Sequence, residues 1–341
     1  MIMRDVKVNP KYCKTAMDTI EFAIDLEGME NISFDETTLP NNNNKSIVTI
    51  QCTCGKVKGS ISAVHCIRDT NEYSFGIKDC VHMELVRCKV FDFIKNRLRE
   101  HLGEQYSESQ FEKSRVTSLE INTTLSCVGK ATPSDMSHLF DMVFNNTTVY
   151  RKRKSDSKCE KEDTGIKYEK KHYYIIRPYD KFQDFCRQHQ PIEERKLFRL
   201  EIIFKDRKLN SIFGKHNRSL ENILSVKAFD LMCKEYKIVL EDIIEHHIKP
   251  YLNNCVETLY QNLMQDTSGK SISDTVCRYK EIIVDLDCLR KALHKWYQSR
   301  QEKEPTLQDN TDEIIYKYRK KNLGLPEDVL STLRKFHEAA G

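Results

Sequence analysis

A chain of 341 residues with 39% hydrophobic and 31% charged side chains has enough apolar material for a core, and its length suggests two domains or one large domain with an appended module. It has no apolar run of about 18 residues, which argues against a membrane-spanning helix, and its opening MIMRDVKVNPKYCK lacks the apolar stretch of a secretory signal, so a cytoplasmic protein is expected. The net charge of +4 is a poor argument for nucleic-acid binding, yet residues 151–220 hold 20 Lys and Arg against 11 Asp and Glu, a local excess that suits a localised anionic partner and equally suits a loop with a solvated face.

Residues 1–44 carry little periodicity, end in four asparagines and read as a peripheral N-terminal segment. Residues 46–66 alternate β-branched and small side chains around Gly55, the pattern of a hairpin. Residues 72–88 read as another strand, with Val81, Met83 and Leu85 at period two. Val90, Phe91, Ile94 and Leu98 then fall at helical spacing before a capping Gly103. Residues 115–129 are a strand by β-branched content, and 135–144 a helix. The run 151–163, apolar only at Cys159, reads as an exposed loop. Strands follow at 171–181 and 196–205, with a helix near 183–189 between them. Beyond Gly214 the pattern turns helical: 219–236 and 238–265, a break at 266–271, further helices near 274–302 and 312–320, and a last one opened by Pro326. Strands first and helices after make an α+β fold: a central antiparallel sheet with flanking helices over 45–215, followed by a C-terminal helical module over 216–341.

Period two places Glu120, Asn122 and Thr124 on one face of the first central strand, Tyr173, Ile175, Arg177, Tyr179 and Lys181 on one face of the second, and Arg199, Glu201, Ile203 and Lys205 on one face of the third. Aligned in one sheet, these faces gather two carboxylates, several cations and a tyrosine. Carboxylates suit Mg²⁺ or Mn²⁺, a tyrosine can attack phosphorus and hold a chain as a covalent ester, and cations can steady the phosphate. The same alternation also describes a half-solvated sheet face with Glu–Lys and Glu–Arg cross-strand pairs. Another arrangement is zinc held by four ligands drawn from Cys52, Cys54, His65, Cys66, Cys80 and His82, although their spacing fits no common zinc module; the 13 cysteines otherwise read as free thiols. Lys317, Arg319, Lys320 and Lys321 form a short basic cluster that reads as a solvated helix end or a nucleic-acid contact.

Three segments in order carry a resemblance: Ser118-Leu119-Glu120-Ile121-Asn122; Thr164-Gly165-Ile166-Lys167-Tyr168 through Arg177-Pro178-Tyr179-Asp180-Lys181; and Arg199-Leu200-Glu201-Ile202-Ile203. Over residues 115–215 the chain resembles the rolling-circle replication initiators of plasmids and filamentous phages, the gene-two/gene-ten type. The resemblance implies a DNA nickase and strand transferase that uses a divalent metal, Mg²⁺ or Mn²⁺, and a tyrosine nucleophile. Glu120 and Glu201 would bind the metal. Tyr179 is the preferred nucleophile, with Tyr174 or Tyr168 as alternates, and Arg177, Lys181 and Arg199 would contact phosphate. Arg151, Lys152, Arg153, Lys154 and Lys205 would face the DNA, an origin hairpin or single strand, with host replication proteins as further partners. The sequence departs from the family at Glu120, where Asp is usual, and at Pro178, which suggests a bulged or edge strand. It contains no His-x-His pair, so the histidine metal site of many nickases is absent. Two other readings are a non-catalytic DNA-binding protein of a mobile element, recognising hairpin or single-stranded DNA, and a regulatory protein with no nucleic-acid role.

Overall fold

Alternating burial along three segments builds the centre of the molecule. The computed structural model describes residues 14–67, 77, 80–127, 131–146, 157–187, 196–266, 271–279, 283, 286–321 and 329–339. The first strands are β1 (Lys14–Asp25), β2 (Phe34–Pro40), β3 (Ser46–Thr53) and β4 (Lys56–Ser62), followed by helices α1 (Ala63–Ile67), α2 (Cys80–Leu102) and α3 (Glu108–Glu112). Next come β5 (Arg115–Ser126), α4 (Pro133–Asn146), β6 (Ser157–Glu162), β7 (Gly165–Lys170), β8 (Tyr174–Asp180), α5 (Lys181–Arg187) and β9 (Leu197–Lys205). The remainder is helical: α6 (Asp206–Phe213), α7 (Leu220–Ile223), α8 (Val226–Ile243), α9 (Lys249–Gln265), α10 (Ile272–Arg278), α11 (Leu286–Gln301), α12 (Thr311–Lys321) and α13 (Val329–Ala339).

The nine strands form one sheet in the order β2-β3-β4-β1-β5-β9-β8-β7-β6, and every pairing is antiparallel. The three strands expected within 115–129, 171–181 and 196–205 are therefore neighbours in a mixed α/β fold, with β9 in the middle. In-register pairs point to the same side of an antiparallel sheet, so one face collects Ile20, Phe22, Val48, Ile61, Leu119, Ile121, Ile176, Phe198, Leu200, Ile202 and Phe204, all buried. Helices cover that face. α2 contributes Met83, Val86, Val90, Ile94 and Leu98 at helical spacing. Phe140 and Phe144 of α4 stack on Phe198 and Tyr168. The Tyr236 hydroxyl of α8 donates to the Leu200 carbonyl, and Phe336 of α13 meets Phe198 edge-on.

The helical part expected from residue 216 onward divides between two cores. α8 and α13 join the core under the sheet, whereas Leu259, Leu263, Val276, Leu289, Leu293, Trp296 and Ile315 form a second apolar cluster among α9 to α12. α8 runs into α9 through a π-helical turn at Ile244–Ile248. Pro250 lies just beyond that turn, and a proline lacks the N–H and crowds the carbonyl of the preceding turn, which a wider turn relieves.

Four expectations are corrected. The described part of the expected peripheral segment 1–44, residues 14–44, is not peripheral: β1 is a central strand between β4 and β5, and β2 closes the sheet at one edge. Residues 80–88 are helix, not strand; Val81 and Leu85, which suggested alternation, are exposed, and the stripe from Met83 to Leu98 is what packs. Part of the expected loop 151–163 is β6, the other edge strand. The strand carrying Pro178 is neither bulged against β9 nor at an edge: β8 lies between β9 and β7, with unbroken register from Tyr174 to Asp180 against β9. The Asp180 N–H donates to Thr164 on the β7 side, so by alternation the missing N–H of Pro178 also faces β7, where Gly165 makes the close approach tolerable. A Cβ at Gly165 would stand 2.2 Å from the Pro178 carbonyl oxygen.

Candidate active site

The face of the sheet opposite the core carries polar side chains at β1, β5, β9 and β8. Thr124, Asn122 and Glu120 of β5 lie in register with Arg199, Glu201 and Ile203 of β9, and these in turn with Tyr179, Arg177 and Ile175 of β8. β1 adds Asp18 through a bulge. Met17 pairs with Ile121 and Ile20 with Leu119, so one extra β1 residue stands against Glu120. That extra residue keeps both Met17 and Ile20 on the core face while Asp18 turns to the polar face, a use of bulges that recurs beside active sites.

These groups are buried. Arg199 and Lys181 expose 1% of their surface, Glu201 4%, and Asp18, Glu120 and Tyr179 7–8%. The Asn122 amide donates to Asp18 Oδ2 at 3.2 Å and to Glu120 Oε1 at 3.3 Å, bridging two carboxylates. The Tyr179 hydroxyl donates to Glu201 Oε1 at 2.5 Å. Arg177 donates through Nη1 to Glu201 Oε2 and through Nε to Glu162, both at 3.1 Å. Arg199 donates through Nε to Thr124 Oγ1 at 2.8 Å, and its Nη1 lies 3.8 Å from Glu201 Oε1. Its Nη2 is buried without a hydrogen-bond partner among the described residues, as is the Asn122 Oδ1. An unsatisfied buried donor costs about 1–3 kcal/mol, and more when charged, so Arg199 Nη2 marks a place where an acceptor from outside the chain would be stabilised. Lys181, at the start of α5, donates to Asp184 at 2.6 Å.

Burial governs the charge states. It pushes the Glu120 carboxyl well above the ordinary range, with Glu201 and Asp18 adding like charge. Burial also raises Asp18, against the opposing pull of Arg199. The Tyr179 phenol is held well above its usual value, by burial first and against the pull of Arg199, with Glu201 adding to the rise. Burial and the neighbouring Arg199 bring Lys181 down to about 8. The cluster therefore holds carboxylates that a divalent cation would stabilise in the ionised form.

Of the residues expected at the site, Glu120, Glu201, Arg177, Tyr179, Lys181 and Arg199 come together. Tyr174 and Tyr168 do not: both lie on the core side, where Tyr168 stacks on Phe144 and Tyr174 packs against the main core. Lys205 sits further along β9 and contacts Ser118 and Glu21. Arg199 is an interior residue of the sheet's polar face. Arg151, Lys152, Arg153 and Lys154 lie outside the described residues. Asp18 is the site residue that periodicity missed; its only signal is the alternation of Ile20, Phe22 and Ile24 just after it. Of the zinc candidates, Cys52 and Cys66 are buried in the main core and His65 Nδ1 bonds the Ser46 carbonyl.

Among the described residues no three His, Cys, Asp or Glu side chains stand close enough to form a complete metal site. Asp18 and Glu120, joined through one amide nitrogen, still suit a hard cation of the Mg²⁺ type, which takes one or two carboxylates and completes its shell with water and substrate phosphate. No family model matches the chain, and no curated protein matches it in sequence. Among the described residues no helix is long and apolar enough to cross a membrane.

Proposed function

We propose that the chain is a replication initiator that nicks one DNA strand by tyrosine attack with the help of Mg²⁺ or Mn²⁺, starting rolling-circle replication. The observation that carries this reading is the convergence of Tyr179, two desolvated carboxylates and an unsatisfied guanidinium on one sheet face. Tyr179 is the nucleophile: its hydroxyl becomes linked to the phosphorus of the cut strand, and the released strand end carries the free hydroxyl. Arg199, whose Nη2 has no partner among the described residues, would bind a non-bridging phosphate oxygen and stabilise charge as it develops. Asp18 and Glu120 would hold the metal, which when bound supplies Lewis-acid stabilisation of the phosphate. Because Tyr179 exposes 8% of its surface, the reading includes an opening of the polar face when a strand enters. The order of the three motifs quoted above, and the basic balance of residues 151–220, support DNA as the substrate.

The test is incubation of the protein with supercoiled DNA from its own genetic element, with Mn²⁺ and with EDTA. A nick that carries covalently attached protein, formed only with the metal, is expected. Salt-sensitive binding without any nick would instead favour a non-catalytic DNA-binding protein.

A further inference from the structure

The two glutamates that the sequence assigns jointly to a metal occupy different positions in the site. Glu120 is bridged to Asp18 through Asn122 and touches neither the tyrosine nor an arginine in any hydrogen bond of the described residues. Glu201 has both carboxylate oxygens engaged: Oε1 accepts from the Tyr179 hydroxyl at 2.5 Å and Oε2 from Arg177 at 3.1 Å. We infer that Glu201 is the general base that deprotonates Tyr179, and that it is not a metal ligand. This deepens the proposed function and rests on it.

The chemistry requires such a group. A buried phenol is a poor nucleophile, because burial opposes its ionisation, and Tyr179 is held well above its usual value. A general base must lie within about 2.6–3.2 Å of the proton it takes, and Glu201 Oε1 is at least that close. Arg177 on Oε2 and Arg199 near Oε1 hold the carboxylate aimed at the phenol. As the Tyr179 oxygen bonds to phosphorus, the bond from phosphorus to the departing strand oxygen breaks. The phenolic proton passes to Glu201, and the departing oxygen takes its proton from water. Among the described residues Tyr179 is the one tyrosine hydrogen-bonded to Glu201, so the same carboxyl, now protonated, is placed to return the proton to the phenol when a strand hydroxyl attacks the phosphotyrosine and releases it.

The experiment uses the full chain, single-stranded DNA from its own element and Mn²⁺, reading two quantities: the rate of covalent protein–DNA linkage and the affinity for Mn²⁺ measured by its paramagnetic resonance. Glu201→Gln is expected to slow linkage by roughly 100- to 10,000-fold while Mn²⁺ affinity stays as in the parent. Glu120→Gln is expected to lose Mn²⁺ affinity by roughly tenfold or more. Glu201→Ala, which leaves a cavity between two arginines, is expected to recover linkage on addition of acetate, and Glu120→Ala is not; circular dichroism of each variant confirms its fold. Glu201→Gln that links DNA at the parent rate, or that loses Mn²⁺ affinity as Glu120→Gln does, overturns the assignment while leaving the functional reading intact. A parent protein that binds DNA and Mn²⁺ but never forms the link overturns both.

Discussion

The polar face of the sheet behaves differently at its two ends. Toward β2, β3 and β4 it is an open groove of about 520 Å³ lined by Glu21, Glu36, Gln51, Lys58, Ser60 and Arg115. Charges there are solvated; Glu21 exposes half its side chain and lies 3.9 Å from Lys205. Toward β5, β9 and β8 the same face buries Asp18, Glu120, Glu201, Arg199 and Lys181. Both ends obey period two, and what separates them is desolvation. Exposed ion pairs contribute about 0–1 kcal/mol, whereas a buried charge that loses its partner costs several times that. Groups so costly to keep, with Arg199 Nη2 unsatisfied among the described residues, fit the proposed ligand site.

Substitutions separate the two ends of the face. The largest effect is expected for Arg199→Met, which removes the cation facing Asp18, Glu120 and Glu201 and should destabilise the fold by about 3–5 kcal/mol in urea unfolding. A loss below about 1 kcal/mol would mean the cluster is solvated after all. Glu120→Gln should act in the opposite direction and stabilise the apoprotein. Asp18 and Glu120 have raised values in the folded state, so the folded chain holds their protons longer than the unfolded chain. Their contribution favours the fold at low pH and is lost as pH rises from the ordinary carboxylate range through the raised folded value. Urea unfolding from acid to neutral pH should show a decline that Glu120→Gln makes shallower, and a variant with the parent's slope would remove Glu120 as its source. Mn²⁺ should restore stability to the parent and not to Glu120→Gln. The smallest effect is expected at the open end: Lys58→Ala should change stability by no more than about 0.5 kcal/mol, and a larger loss would show that the two ends are not distinct.

The buried polar cluster was legible in the sequence where alternation is unbroken. β5 and β9 run without a register shift against each other, and period two therefore grouped Glu120, Asn122, Arg199 and Glu201 correctly. β8 added Arg177 and Tyr179 for the same reason. Asp18 was hidden because the bulge between Met17 and Ile20 breaks the period at the very residue that matters, making a central strand look irregular. α2 was misread at its start because Val81, Met83 and Leu85 alternate over too short a span for a strand and a helix to be told apart; only the longer stripe to Leu98 decides. Desolvation, which distinguishes Glu120 from Glu21, depends on which segments pack together and has no local signature.

The most direct test of the central claim is to trap the protein–DNA link, digest it with nuclease and trypsin, and locate the residual nucleotide by fragmentation mass spectrometry. Trypsin does not cut before Pro178, so residues 172–181 stay in one peptide that carries Tyr173, Tyr174 and Tyr179. The account predicts the nucleotide on Tyr179 and no link in Tyr179→Phe. A nucleotide on Tyr173, Tyr174 or any residue outside the peptide, or a link that survives Tyr179→Phe, would contradict it.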